Sequence, residues 1–308
     1  MTSILDRPLK ARTLSGLGWR RRVADNAATV LVTVAMVITL TPLIWVLSAV
    51  IANGFKAITS SAWWTYPQAG VTALSAGGGA FHALIGTLLQ GLVCAALSIP
   101  IGILVAIYLV EYGGGTWLGR LVSFMVDILT GVPSIVAALF IYTVCVQTLG
   151  FPRSEFAVSL ALVLLMLPVI VRATEEMLRI VPTDLREASY ALGIPKWKTI
   201  VRVVLPAGLS GIITGIMLAL ARVMGETSPL LVLVGYSQAM NFDVSSGFMA
   251  SLPGMMYDQI SVGAVTNPLA AERLWGAALT LIMLIAVINI AARVVARIFS
   301  PRSHRQEA

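Results

Sequence analysis

Charged side chains are scarce in this sequence. Asp, Glu, Lys and Arg together make up 11% of the 308 residues, whereas apolar residues make up 58%, and the mean hydropathy is +0.90. A water-soluble domain of this size needs a far more polar surface, so the composition excludes that class and indicates a polytopic membrane protein. One domain is enough to hold the chain.

Several chemical groups and motifs are also rare or missing. Cys94 and Cys145 lie in different apolar segments, which predicts two small core residues and no disulfide. His82 and His304 stand alone, and the sequence has no C-x2-C or H-E-x2-H pattern, so no metal site is expected. No nucleophile–base pair is evident, so no catalytic residue is assigned. A G-x4-G-K-[ST] phosphate-binding loop is absent, so we do not expect this chain to hydrolyse ATP by that route.

The sequence contains instead six apolar segments that approach or exceed the roughly 20 residues needed to cross a membrane as a helix. The fourth of them is short unless its helix continues toward Glu175. We therefore predict an all-α polytopic membrane protein with six transmembrane helices, at residues 28–51, 84–110, 121–149, 156–171, 203–234 and 274–292.

The distribution of positive charge predicts the orientation of these helices. If both termini lie on one side, most Lys and Arg fall on that side, and the loops on the other side hold only Lys56, Arg153 and Arg273. The positive-inside rule then places both termini in the cytoplasm, so the net charge of +7 gives no reason to expect nucleic acid binding. The predicted organisation is a basic cytoplasmic tail, a transmembrane domain and a second cytoplasmic tail, at residues 1–25, 26–300 and 301–308.

A polar, charged stretch, EASYALGIPKWKTIVRVVLP, runs from Glu187 to Pro206 between two apolar segments. Gly193 stands where the residue after a helix takes a positive φ, and Pro195 can open a second helix. These signals predict a helix-turn-helix that re-enters the membrane at Pro206. Residues at helical spacing predict one mildly apolar face on its first helix, namely Leu185, Ala188, Ser189 and Leu192.

This stretch resembles the coupling loop of bacterial ABC importer permeases, which has the spacing E-A-[AS]-x3-G-x9-[IV]-x-L-P. The matching residues are Glu187, Ala188, Ser189, Gly193, Val203, Leu205 and Pro206. The resemblance implies a type I ABC importer permease, with a cytoplasmic coupling loop over residues 172–206 that sits in a groove of a separate ATPase subunit. That subunit would bind ATP and Mg²⁺, so no cofactor is implied for this chain. The alternative is a plain surface loop between two membrane helices.

Charged residues within the predicted spans are the second signal, because each costs at least about 2.5–3.5 kcal/mol on insertion scales. Arg222 and Glu226 are four residues apart and would share a helical face. They form either a structural ion pair or a charged station beside a translocation path, where an arginine favours an anion. Asp127 is either an interfacial partner of Arg120 or a gating residue.

The sequence around this pair narrows the resemblance. ARVMGETSPLL, at residues 221–231, is similar to the A-R-x-x-G-E-T-[AS]-P-L-L signature of phosphate-specific importer permeases, and GVPSIV, at residues 131–136, is similar to a third-span motif of that family. The short chain favours PstA-like over PstC-like members. The resemblance implies a heterodimer with a PstC-like permease, two ABC ATPase copies and a periplasmic phosphate-binding protein. The candidate path residues are Arg222, Glu226, Thr227 and Asp127.

We therefore predict the permease subunit of an ATP-driven importer that moves inorganic phosphate across the bacterial plasma membrane by alternating access. One alternative keeps this machinery but changes the cargo to sulfate or molybdate. Another is an ion-coupled secondary transporter, for which buried acids on broken helices and inverted repeats are typical. That alternative gives no reason for the spacing between Glu187 and Pro206. A membrane-embedded enzyme would need catalytic or metal-binding residues that are not evident.

Overall fold

A computed structural model describes residues 19–72 and 75–299 of the chain. The chain divides into two compact units, residues 1–51 and residues 52–308. Every regular element in the described residues is helical, which confirms the predicted all-α class. Most of the predicted amino-terminal tail, up to residue 18, and the whole predicted carboxy-terminal tail lie outside the described residues.

The described part of the first unit belongs to helix α1 (Trp19–Ile58), which has 40 residues. A helix of that length extends about 60 Å, roughly twice the thickness of a bilayer's hydrocarbon core. Its uncharged part begins after Asp25 and contains the first predicted span. The last basic residues of the predicted tail are therefore helical, namely Arg20, Arg21 and Arg22.

The second unit consists of shorter helices joined by turns and loops. In the residues described there, the helices that follow α1 are α2 (Ser61–Thr65), α3 (Phe81–Ile107), α4 (Trp117–Thr130), α5 (Ser134–Ile141), α6 (Glu155–Ile180), α7 (Thr183–Ala191), α8 (Lys196–Thr199), α9 (Leu205–Met224), α10 (Ser228–Leu233), α11 (Leu252–Ser261) and α12 (Pro268–Phe299). Wider π-helical turns follow α3, α5 and α8, at Tyr108–Tyr112, Tyr142–Thr148 and Ile200–Val204. Across the described ranges, five helical stretches are long and apolar enough to cross a membrane, and a sixth crossing requires a bent pair.

The bent pair replaces the third predicted span, residues 121–149. α4 and the helix that begins with α5 meet at an angle of 109°. Pro133 has no amide hydrogen and disfavours helical backbone at Val132, and Gly131 is a poor helix former, so the helix cannot continue through this motif. The third predicted span is therefore two helices joined at a bend, and it supplies the sixth crossing if the pair forms one broken span.

The fourth and fifth predicted spans also differ from simple helices. α6 continues to Ile180, so residues 172–180 of the predicted coupling loop are helical. α9 ends at Met224 and α10 begins at Ser228. The fifth predicted span, residues 203–234, is therefore interrupted between these two helices.

α6 lies at the centre of the second unit. Its side chains Leu162, Met166 and Ile170 are fully buried in a core to which α3, α5, α9 and α10 contribute. α9 approaches α6 closely at Gly215, where an added Cβ would lie 2.4 Å from the Cβ of Ala173. Small residues at such crossings let membrane helices gain van der Waals contact, which drives their association in lipid.

The two ends of this helical bundle carry different elements. At the loop end, where α3 and α6 begin, the amide of Phe156 donates to the carbonyl of Val244 in the α10–α11 loop (2.9 Å). At the hairpin end, where α6 finishes and the π turn after α3 lies, the chain forms α7 and α8. The candidate residues from the sequence therefore fall into distinct regions, which are described next.

Candidate functional site

The segment between α6 and α9 folds into a hairpin of two short helices, α7 and α8. Gly193 has a φ of +73°. Its amide donates to the carbonyl of Tyr190 (2.9 Å), and the amide of Ile194 donates to the carbonyl of Ser189 (3.2 Å). These two bonds form the Schellman motif that ends a helix at a glycine. Pro195 then precedes α8 with an extended backbone, so the predicted helix-turn-helix is confirmed.

The predicted apolar face of α7 is divided between the inside and the outside of the hairpin. Ser189 is buried, and its Oγ lies 2.8 Å from Oγ1 of Thr199, so a hydrogen bond joins α7 to α8. Leu185 and Leu192 instead remain exposed, with 44% and 79% of their surface accessible. Ser189 therefore holds the hairpin together, whereas the two leucines are available to a partner.

Charged and aromatic side chains extend this exposed surface. Glu187 and Ala188 are exposed on α7, and Tyr190, Trp197 and Val201 are exposed nearby in the sequence on α7, α8 and the following π turn. An exposed surface that combines large apolar side chains with a carboxylate is typical of a protein-binding site. We refer to these residues together with Leu185 and Leu192 as the hairpin surface.

The last motif residues form the junction between the hairpin and α9. Val203, Leu205 and Pro206 are half-buried there. Pro206 has no amide hydrogen to donate to the carbonyl of Arg202, so a regular helix would leave that carbonyl without its bond. The π turn Ile200–Val204 lies just before this position, and π turns are frequent at functional sites within helices.

An arginine that the sequence analysis missed attaches the hairpin to the bundle. Nε of Arg186 lies 3.1 Å from Oε1 of Glu111, and its terminal nitrogens donate to the carbonyls of Val181 (2.6 Å) and Leu178 (2.8 Å). Lys196 also donates to the backbone carbonyl of Glu111. These partners are distant in sequence, so no periodic pattern could have indicated them.

The predicted pair of Arg222 and Glu226 is not formed. α9 ends before Glu226, because the amides of Gly225 and Glu226 fold back onto the carbonyls of Arg222 and Val223 (3.2 and 3.1 Å). The two side chains therefore do not share a helical face, and within the described part of the chain they form no ion pair. Arg222 is exposed, and Glu226 is half-buried.

The turn between α9 and α10 borders a cavity of about 250 Å³. Gly225 and Thr227 line it from the turn, and Tyr257 and Ile260 of α11 line it from the other side. Thr227 itself is half-buried. The structure thus brings the signature residue Thr227 to an open space between α10 and α11, while the side chain of Arg222 is exposed on α9.

Asp127 lies on the bent pair and binds an arginine other than the predicted one. Its carboxylate pairs with Arg172 of α6, so the prediction of Arg120 as its partner is wrong. Arg172 also pairs with Glu175 (2.5 Å), which in turn pairs with Arg179 (2.7 Å). The three residues on α6 are three and four positions apart, a spacing that could have indicated these contacts.

The loop end is held by a partly buried hydrogen-bond chain. Nε2 of His82 lies 2.9 Å from the hydroxyl of Tyr236, which donates to Oε1 of Gln68 (2.8 Å). Burial raises the pKa of Tyr236, so its phenol stays protonated and can donate. Burial also raises the pKa of Asp258 on α11. The described residues contain no group of three His, Cys, Asp or Glu that could hold a metal ion.

Comparison with known proteins decides the family. Residues 98–305 match the family described as "Binding-protein-dependent transport system inner membrane component". This chain belongs to that family. The predicted resemblance to PstA-like members is also confirmed. The phosphate transport system permease protein PstA of Mycobacterium leprae is 56% identical over 288 residues, which cover 93% of each chain.

Other members of the family are similar over comparable lengths. PstA 1 of Mycobacterium tuberculosis H37Rv is 54% identical over 293 residues, covering 94% of this chain and 93% of that protein. PstA of Yersinia pestis is 38% identical over 287 residues, covering 93% of each. The similarity to these relatives therefore covers both the hairpin and the break between α9 and α10.

Solved transporter structures share the fold. The structure of a bacterial ABC transporter that imports alginate has a TM-score of 0.60 at 13% identity, covering 91% of this chain and 98% of that one. An inward-facing MetNI methionine ABC transporter has a TM-score of 0.56 at 21% identity, covering 72% and 95%. At these identities the likeness shows the fold alone, which is the membrane fold of ABC transporters.

Proposed function

We propose that this chain is the permease subunit of an ATP-driven importer that moves inorganic phosphate across the bacterial plasma membrane by alternating access. The observation that carries the proposal is the hairpin of α7 and α8. It presents an exposed apolar and acidic surface at one end of a membrane bundle. A permease without its own phosphate-binding loop needs such a surface to receive movement from an ATPase. The relatives named as phosphate permeases support phosphate as the cargo.

The proposed assembly contains a second, PstC-like permease, two copies of an ABC ATPase and an extracytoplasmic phosphate-binding protein. Arg222 supports the second permease, because it is exposed near the end of α9 and a protein partner would keep its guanidinium out of lipid, where a charge costs up to about 2.5–3.5 kcal/mol at the centre of a helix. The ATPases would bind ATP and Mg²⁺, so this chain needs no cofactor and is not an enzyme by itself.

The hairpin end is the proposed cytoplasmic end. It carries Arg186, Lys196 and Lys198, in agreement with the positive-inside rule. Both termini then lie in the cytoplasm, and the α10–α11 loop faces the binding protein. The hairpin residues proposed to contact the ATPase directly are Glu187 and Ala188.

The other motif residues have supporting roles in this proposal. Ser189 and Gly193 give the hairpin its shape, through the bond between α7 and α8 and through the turn. Half-buried side chains connect the hairpin to α9, namely Val203, Leu205 and Pro206.

The proposed path runs beside the break between α9 and α10. Arg222 would attract the phosphate anion, since a guanidinium can donate two parallel hydrogen bonds to its oxygens. Glu226 and Thr227 lie at the same break, and the carboxylate would keep the anion from binding so tightly that transit stops. Asp127, paired with Arg172 across α4 and α6, would act on the bent pair during opening and closing.

Phosphate uptake in proteoliposomes tests this function. The vesicles would contain the four kinds of subunit, with radiolabelled phosphate outside and sulfate or molybdate as competitors. ATP-dependent uptake that resists both competitors is the expected result. ATP hydrolysis without phosphate movement would refute the cargo, and uptake without ATP would favour a secondary transporter.

A pair of arginine variants sharpens the test. Arg222→Gln should lower uptake by about tenfold or more at equal membrane insertion, which corresponds to about 1.4 kcal/mol of lost stabilisation. Arg120→Gln removes another exposed arginine, on α4, and should leave uptake near the wild-type rate. Equal rates for both variants would contradict the proposed path.

A further inference from the structure

Arg186 binds three separate parts of the protein with one guanidinium group. It lies on α7, its Nε reaches the carboxylate of Glu111 on the π turn after α3, and its terminal nitrogens reach the carbonyls of Leu178 and Val181 at the end of α6. Only 14% of the Arg186 side chain and 6% of the Glu111 side chain are accessible. The contact is therefore an internal one and not a surface ion pair.

The end of α6 needs this arginine for a specific reason. In a continuing helix the carbonyl of Leu178 would accept a hydrogen bond from the amide four residues later, but residue 182 is a proline and has no amide hydrogen. Leu178 is completely buried, and a buried carbonyl without a donor is costly. The planar guanidinium of Arg186 supplies the donor that Pro182 lacks and keeps its Nε for Glu111.

A second cation attaches the other helix of the hairpin to the same turn. Lys196, the first residue of α8, donates to the backbone carbonyl of Glu111. Its Nζ also lies 4.7 Å from the ring centroid of Tyr112, a cation–π distance. Both α7 and α8 therefore bind the π turn Tyr108–Tyr112, through different groups of Glu111.

The residue next to Arg186 faces the opposite way. Glu187 is exposed on the hairpin surface, whereas Arg186 is directed into the bundle. A force applied to the hairpin surface therefore reaches two membrane helices through one side chain. Without that contact, α7 would follow α6 through the short segment at Val181 and Pro182, and part of the displacement would be lost in bending there.

We infer that Arg186 is a positioning residue that, together with Glu111, couples the hairpin to the ends of α3 and α6, so that all three move as one body when an ATPase displaces the hairpin. The inference rests on the proposed function. Arg186 contacts neither the ATPase nor the cargo in this proposal, and its effect appears in the efficiency with which ATP hydrolysis drives transport.

The test uses the full transporter in proteoliposomes and compares three variants. Arg186→Gln removes the ion pair but leaves the Glu111 carboxylate buried without its partner, which can impair folding. The double variant Glu111→Gln with Arg186→Gln removes that unpaired charge as well. Arg179→Gln is the matched control, since Arg179 lies close in sequence and its side chain is 66% exposed, while its buried partner Glu175 keeps the ion pair with Arg172.

Two quantities are measured for each variant: the amount of ATPase that co-purifies, and the ATP hydrolysed per phosphate imported. The double variant should retain wild-type ATPase binding but consume about tenfold more ATP per phosphate, within the usual range of coupling between sites. The control should match the wild type in both quantities. Wild-type stoichiometry in the double variant would overturn the inference, and so would loss of ATPase binding, because Arg186 would then act on docking.

Spin labels provide a readout independent of transport. Labels at the exposed positions Asp184 on α7 and Leu104 on α3, which lie outside the hairpin surface, should keep one distance with and without ATP in the wild-type complex. In the double variant this distance should broaden or change with ATP. A distance in the double variant that stays the same with and without ATP would overturn the inference that Arg186 couples these movements. If the wild-type chain does not bind the ATPase at all, the proposed function itself fails, which is a distinct result.

Discussion

The crossing of α6 and α9 allows a quantitative prediction about packing. A Cβ added at Gly215 would lie 2.4 Å from the Cβ of Ala173, about 1 Å or more short of a favourable carbon–carbon separation. Gly215→Ala therefore forces the two helices apart, at a cost of about 1–3 kcal/mol for overpacking. Ala has a higher helix propensity than Gly, which stabilises α9 by about 1 kcal/mol. The net loss of unfolding free energy should therefore be about 0–2 kcal/mol.

A compensating change isolates the clash from these other effects. Ala173→Gly removes the one methyl group that Gly215→Ala meets, and in the double variant the propensity changes cancel. The double variant should therefore unfold within about 1 kcal/mol of the wild type, as volume-conserving core changes usually do. The coupling free energy between the two sites should be favourable by about 1–3 kcal/mol.

Gly211→Ala is the matched control on the same helix. Its added Cβ would meet the sulfur of Met177 at 1.9 Å, which is closer than the clash at Gly215. The methionine side chain is flexible, however, and both residues line a cavity of about 210 Å³. The measurement is unfolding of the purified protein in mixed micelles. A Gly211→Ala variant less stable than Gly215→Ala, or a coupling energy near zero, would refute the reasoning.

Two further predictions concern single turns. At Gly193 the backbone φ is +73° and no atom lies near an added Cβ, so Val and Asn at this position differ in the penalty for a positive φ, which Asn tolerates better. Gly193→Val should therefore weaken ATPase co-purification more than Gly193→Asn, and equal binding by both variants would contradict this. Hydrogen bonds from Ser245 and, to a smaller extent, Ser246 lower the pKa of Asp243 to about 2. The stabilisation that these bonds give the loop is therefore complete above about pH 4 and is lost as the pH falls toward 2. Infrared titration against Asp243→Asn should show protonation at a higher pH in Ser245→Ala, and an unchanged midpoint would count against these bonds.

Local sequence patterns predicted much of the fold and part of the candidate site. The length of the apolar segments located the membrane helices, although it could not show that the motif around Pro133 bends the third one by 109°. Glycine and proline located the hairpin turn, because a positive φ and a missing amide are properties of a single residue. Family membership followed from the same short motifs.

Position along the chain gave the wrong partner for two charged residues. Arg222 and Glu226 were expected to face each other because residues four apart do so in a helix, but α9 ends between them. One of the two interpretations of Asp127 paired it with Arg120, seven positions earlier on α4, whereas the fold brings Arg172 to it from another helix. In each case the local rule is sound, and the tertiary structure decided whether it applied.

The sequence by itself determined the class of protein, most of the helical segments, and the helix-turn-helix between α6 and α9. Only the tertiary structure decided which side of that hairpin is free and which is anchored. Glu187 and Arg186 are adjacent charged residues with opposite surroundings, one exposed and the other bound to Glu111, 75 positions away. Periodicity reports the local direction of a side chain, but burial and ion pairing depend on distances between distant segments, which are fixed only when the helices pack.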